Sequence, residues 1–376
     1  MEHPVDVSAL PPGVQKVCGP QAPPQLKQMA ASGLAPLGPT DLVTALYVLA
    51  FDADAAIAKQ AQGSLEKVPE NVLHGALEQD LGVGVLDGLA RLLVGKGSAV
   101  ERLLLNQVVA DETVCWLVPN VRTERLLEIV AGNEQRLLRA PEIIEALYMN
   151  KHTRMSTVDR AVELAVRNGI ELTGIPTFAE IKAAIEGELI VEAEEEPTPD
   201  DLIFTSVLAA EDLADLSEDL VGDALESTAG QEQETETEKR VKSAEQSLAN
   251  LTVSQKIRVA MLGNASQRSI LIRDSNKMVS MAVLKAPGIG ESEVIRYAQA
   301  RSLPEEAIRY IASRREWTKQ YQVKLNLVKN PRTPLQDAMR FLNHLRPNDI
   351  RGLMTSRDVP QAISRAAKSL RDKRSF

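Results

Sequence analysis

An asparagine-punctuated pattern recurs along this chain at intervals of 22 and 44 residues, and it limits the folds available more than any other feature. Leu105-Asn106 and Met149-Asn150 stand 44 apart, each followed seven residues later by Thr-Val (Thr113-Val114 and Thr157-Val158). In the second half, residues 279–287 align with 323–331, again 44 apart, and residues 257–264 precede 279–286 by 22. Periods of this size mark stacked helical units, each too small to bury its own apolar face and each covered by its neighbours. The pattern predicts an all-α chain. It names no reaction.

The charge distribution divides the chain. The net charge of −9 is the sum of unlike parts: residues 186–238 carry 19 acidic side chains and no Lys or Arg, whereas 251–376 carry 24 Lys/Arg against 10 acids. Aromatics make up only 3% of the residues, so the cores must be built from Leu, Val, Ile and Ala, which suits close helix-on-helix packing. Cys18 and Cys115 are the only cysteines and are far apart, which argues against a disulfide framework and for a reducing compartment. The first residues lack the basic flank and apolar run of a signal peptide, and no stretch reaches the roughly 20 apolar residues of a membrane span. A cytoplasmic protein is expected.

Prolines at 4, 11, 12, 20, 23 and 24 suggest an irregular arm over 1–24. A first helical-repeat domain follows over 25–185. Helices are expected at 42–51, through 61–65, and near 70–80, 83–95, 98–105, 111–118, 123–131, 134–139, 141–149 and 155–168. A last helix to 185 opens on Thr177 as cap with Glu180 three residues on. Residues 186–250 read as an acidic linker, because its polar tracts cannot bury enough apolar surface to fold. Within it, Thr198-Pro199-Asp200-Asp201 carries the cap, first-turn proline and acids of a helix start. Leu202, Val207, Leu213, Leu216 and Leu220, interleaved with acids, could continue it as an amphipathic docking helix near 199–226. A basic second repeat domain then spans 251–376, with helices including 265–272, 304–313, 316–329 and 334–345.

Two resemblances follow from these residues. The run Asp41-Leu42-Val43-x-Ala45-Leu46-x-x-Leu49-Ala50-x-Asp52 and the small-residue helix after it resemble a HEAT-type helical hairpin. Val323-x-x-x-Leu327-Val328-x-Asn330-Pro331-x-Thr333-Pro334, with Ala338-Met339-x-x-Leu342, resembles the leucine-rich repeat variant unit. Both imply two α-solenoid blocks, one on each side of the acidic linker. The variant family can carry an iron–sulfur cluster in a separate cysteine-rich module, and no such cysteines occur here. In the Asn-Pro-x-Thr-Pro turn, Asn330 is expected to take a left-handed helix end, Pro331 to stop the helix, and Thr333 to cap the next one, starting at Pro334.

No pattern calls for catalysis, a metal or a cofactor. His3, His74, His152 and His344 are scattered, and Gly82-Val83-Gly84 and Gly288-Ile289-Gly290 lack the GK[ST] of a phosphate loop. Binding is better supported. Arg314, Arg315, Lys319, Lys324, Lys329 and Arg332 cluster around Trp317 and Tyr321, the mixture a polyanion or stacked base would use. The spacing of Trp317, Tyr321, Leu325 and Val328, every three to four residues, favours instead the buried stripe of one helix, with the arginines and lysines on its exposed face. Arg268, Arg273, Lys277, Arg296, Arg301, Arg309, Arg351 and Arg357 would extend the exposed basic face. The expected function is a non-enzymatic scaffold or adaptor for an acidic or helix-presenting protein partner, with the acidic linker able to cover the basic block. Nucleic-acid binding by 251–376 is the alternative, and no membrane role is indicated.

Overall fold

Short helices with strong local start signals make up the chain. The structure, a computed structural model, describes residues 5–185, 196–209, 236–356 and 359–374, and these form α-helices with one 3-10 turn and no strand. Pro12, Pro24, Pro39, Pro199 and Pro347 each occupy the first turn of a helix, where the missing N–H costs nothing. Thr198 also caps the helix begun by Pro199, and Asp54, Asn133, Thr252, Asn264 and Asn276 accept first-turn N–H groups at five other starts.

The chain divides into two compact units, Met1–Leu172 and Thr173–Phe376. In the first, alternate helices pack on one another: Glu70–Leu77 on Gly97–Leu105, and that on Glu124–Ala131. A facing row places Val83–Leu93 on Asp111–Asn120 and that on Glu142–Met149. In the second unit Val253–Leu262 packs on Lys277–Lys285 and that on Glu305–Ser313, while Glu291–Gln299 packs on Tyr321–Lys329. Each unit is therefore a serial α-solenoid stack of short helices.

The punctuating asparagines link these layers. Asn150, at the end of Glu142–Met149, donates its side-chain amide to the carbonyls of Val118 (2.6 Å) and Val121 (2.8 Å), and its own oxygen accepts from the His152 N–H (2.9 Å). Asn330 repeats the arrangement with Ala298 (2.9 Å), Ala300 (3.0 Å) and the Arg332 N–H (2.9 Å). Asn106 does so with Leu77, Gln79 and Val108. Each asparagine thus satisfies orphan carbonyls at the C-terminus of a helix in the preceding layer. Asn330 itself is extended (φ −78°, ψ 122°), not left-handed as expected. Thr333 does not cap the following helix either: its hydroxyl is buried without a partner, and Pro334 occupies the cap position. The turn is held by long-range side-chain bonds, which no local rule describes.

Close approach leaves no room for a side chain at Gly88. Tyr47, 1% exposed, lies across Gly88 so closely that a Cβ there would meet the phenol oxygen at 1.9 Å.

Three segment readings change. Residues 12–18 and 24–31 are helical and pack against Pro39–Leu49, so the proline-rich stretch is no irregular arm over the described residues; its prolines start helices. The helix Phe178–Ile185 belongs to the second unit, where it packs on Val253–Leu262 and Lys277–Lys285 and Glu180 pairs with Lys285 (2.5 Å). That pairing removes Glu180 from the expected capping box, and the Thr177 hydroxyl is buried without a partner. Finally, Pro199–Leu208 and Glu236–Ala249, expected within the linker, are helices of the second unit with Phe204, Val207, Val241 and Leu248 buried.

Candidate partner-binding surface

The basic cluster sits on an elbow. Glu305–Ser313 ends at Ser313, Arg314 is extended (φ −81°, ψ 109°), a single turn follows over Arg315–Thr318, and Gln320 is extended again before Tyr321–Lys329 begins. The helix expected over 316–329 is therefore broken. The Thr318 hydroxyl donates to the Arg314 carbonyl (3.0 Å) and the Gln320 N–H to the Trp317 carbonyl (3.1 Å), which closes the short turn. Tyr321 is then held from another layer: its hydroxyl bonds the Asp349 carboxylate and accepts the Arg346 N–H at 3.0 Å. Burial, reinforced by Asp349, pushes the Tyr321 phenol above its ordinary pKa.

This break undoes the single stripe. Leu325 and Val328 are buried, whereas Trp317 and Tyr321 are half-exposed. The Arg314 guanidinium lies 4.6 Å from the Tyr310 centroid, Tyr310 meets Trp317 edge-on at 5.9 Å, and Arg346 covers Tyr321 at 4.5 Å.

The ion pairing around the elbow is uneven. Elsewhere in the unit Lys256 holds Asp274 (3.1 Å), Lys277 holds Glu306 (2.6 Å) and Arg309 holds Glu305 (2.6 Å). Arg314, Arg315, Lys319, Lys324, Lys329 and Arg332 hold no carboxylate among the described residues; all are exposed except Lys324, which is half-buried. Glu316 is the one exposed acid within the elbow. Arg340 donates to the Ala312 carbonyl (3.1 Å) and so sets the helix Leu335–Leu342 beside Arg314. That helix leaves Leu335 52% and Met339 37% exposed on one face.

Arg268 does not belong to this surface. It is 6% exposed and grips Glu293 through Nε (2.8 Å) and a terminal nitrogen (2.9 Å), while donating to the carbonyls of Gly263 and Gly288. Burial disfavours the Glu293 carboxylate, but the Arg268 bonds and charge, the Gly290 N–H and the Tyr297 hydroxyl outweigh it and hold the pKa below the glutamate range. Nothing in the local sequence distinguished Arg268 from the exposed cations. Arg357 lies outside the described residues.

The expected docking helix is described over Pro199–Leu208, and Leu213, Leu216 and Leu220 lie outside the described residues. Thr198 and Asp201 form the capping box. Its packed face is Asp201, Phe204 and Val207, not the face of Leu202, which is 60% exposed. Phe204 lies under the Arg258 guanidinium at 4.9 Å, and the Val207 carbonyl accepts from Gln267 at 2.7 Å. Phe204 had a readable signal: it is the one aromatic in the acidic stretch 186–238.

Among the described residues no three His, Cys, Asp or Glu side chains gather as a metal site, and no helix is long and apolar enough to cross a membrane. No family model and no curated protein matches the chain. Among solved structures it is similar to an engineered protein at 12% identity, over 97% of this chain and 99% of that one, with a TM-score of 0.18. Superposition that poor carries no argument.

Proposed function

We propose that the protein is a non-enzymatic cytoplasmic adaptor of HEAT-like and leucine-rich repeat variant-like units. In this reading its second unit binds an acidic protein through Arg314, Arg315, Lys319, Lys324, Lys329 and Arg332. One observation carries it: these cations lack carboxylate partners around the elbow, while Lys256, Lys277 and Arg309 in the same unit are paired. Unpaired cations retain their full field, which steers an acidic partner and sets its register. Arg314, stacked on Tyr310, is held in place, so it loses less side-chain freedom on binding.

The test is titration of the full chain and an R315E/K319E/K324E variant with fluorescent polyglutamate at low and moderate salt. The reading expects wild-type binding that weakens with salt and is lost in the variant. Equal affinities for the two proteins reject it.

Half-exposure of Trp317 and Tyr321 favours a second reading, single-stranded nucleic acid, with bases stacked beside the arginines. Oligothymidine binding tighter than polyglutamate, with quenching of Trp317 in a Trp116→Phe background, would select it.

A further inference from the structure

We infer that the groove holding Pro199–Leu208 is a binding site for a partner's helix, with Pro199–Leu208 as its displaceable internal occupant. The ligand class is a helix with acids in its first turn that presents an aromatic side chain and, three residues on, a branched aliphatic one. Three elements form the groove. Pro199–Leu208 packs on Glu236–Ala249 and on Val253–Leu262, and Gln267 reaches it from Ala265–Leu271. The helix Lys277–Lys285 stands between this groove and the elbow side of the stack, so the groove is a second, separate surface.

The occupant is seated by one short stripe. Asp201, Phe204 and Val207, spaced three apart, turn inward and are buried, while Leu202 and Ile203 stay exposed on the outer side. A core helix of the same unit, Tyr321–Lys329, buries Val323, Leu325, Leu327 and Val328. Pro199–Leu208 buries only two apolar side chains, and a helix of 10 residues is marginal by itself in water. So few apolar contacts put it at the low-stability end of the fold.

The wall beneath it is polar. Seven of the thirteen residues buried in Val253–Leu262 and Ala265–Leu271 are Ser, Gln or Arg, against one of five in Lys277–Lys285. Polar groups regain hydrogen bonds from water when uncovered and apolar ones do not, so vacating this groove costs less than opening a core contact.

Two side chains define what fits. Arg258 is fully buried and its guanidinium lies 4.9 Å from the Phe204 centroid, which selects an aromatic ring. Gln267 donates to the Val207 carbonyl at 2.7 Å, and its own oxygen accepts the Asn264 N–H at 3.0 Å, so the amide is fixed with its donor toward the groove. Only the last-turn carbonyls of a helix lack internal partners, so this bond sets the direction of the ligand. A partner helix repeating the Asp-x-x-Phe-x-x-Val spacing of 201–207 meets both grips.

The test is fluorescence anisotropy of a labelled peptide of residues 196–209 with the full chain at moderate salt. Phe204→Ala in the chain vacates the groove, so the peptide should bind that variant at least about tenfold more tightly than wild type, whose site is filled. Adding Gln267→Glu, which keeps the oxygen bonded to Asn264 and removes the donor, should reverse the gain, as should Phe204→Ala in the peptide. Adding R315E/K319E/K324E instead should leave the affinity unchanged; loss there would move the peptide to the elbow and overturn the groove. Equal affinity for the wild-type and Phe204→Ala chains, or binding to neither, would overturn it as well. Hydrogen exchange of the unsubstituted chain supplies a reading independent of how that variant folds. Excess isotope-labelled peptide should accelerate exchange over residues 200–208 of the chain, and unchanged exchange rejects displacement.

Discussion

Arg268 and Glu293 are joined by two parallel hydrogen bonds, 2.8 and 2.9 Å long, with side chains only 7% and 2% exposed. The pair ties Ala265–Leu271 to Glu291–Gln299, and the Gly263 and Gly288 carbonyls and the Gly290 N–H complete its shell. Removing either partner strands a buried charge, so Arg268→Ala or Glu293→Gln should cost about 3–5 kcal/mol. The double change R268M/E293L should cost less than either single change. Calorimetric unfolding of the three variants measures this.

The same pair gives a pH dependence of known sign. The folded-state pKa of Glu293 is depressed, so its stabilisation is present above the unfolded value of about 4.3 and is lost as the pH falls through the lower folded value. Between pH 5 and 3 the wild type should lose more stability than R268M/E293L; parallel losses would contradict the assignment.

Asn150→Ala leaves the Val118 and Val121 carbonyls and the His152 N–H without their partner. At about 1 kcal/mol per bond, the first unit should lose about 2–3 kcal/mol. Asn150→Asp should be worse, since it turns a carboxylate onto two carbonyls. Urea unfolding reads both.

Gly88→Ala places a methyl within 1.9 Å of the Tyr47 phenol oxygen and 2.1 Å of Cζ. Overpacking of this kind should cost about 1–3 kcal/mol. Because the ring itself is in the way, Tyr47→Phe should not rescue the variant, whereas Tyr47→Leu should restore part of the loss.

Phe204→Ala should free the Pro199–Leu208 helix, since Phe204 is 1% exposed against Arg258. The burial lost corresponds to about 3–5 kcal/mol. Leu202→Ala, at a site 60% exposed, should change stability by less than about 0.5 kcal/mol. Hydrogen exchange over residues 200–208 should accelerate only in the first variant.

Burial pushes the Cys18 thiol up to about 12, so native protein at pH 8 should resist alkylation there until it unfolds. Cys115 is also raised, by burial and the nearby Glu142 and Glu145, but it is partly exposed and should react first. Mass spectrometry of alkylated peptides gives the order.

The all-α class, the division into helical blocks and most helix starts could be read directly, because a proline at a first turn, a Thr198 cap or a run of leucines acts within one turn of backbone. Asn106, Asn150 and Asn330 stood out as repeats for the same reason, although their bonds reach back about thirty residues. What the tertiary structure alone decided were relationships between layers. It broke the helix at Gln320 so that Tyr321 could meet Asp349, and it buried Arg268 against Glu293. It gave Phe178–Ile185 to the second unit and turned Phe204, not Leu202, inward. In a solenoid each helix's environment comes from the layer before and after it. The chain encodes the helices one at a time, and their burial and pairing follow only from how the layers stack.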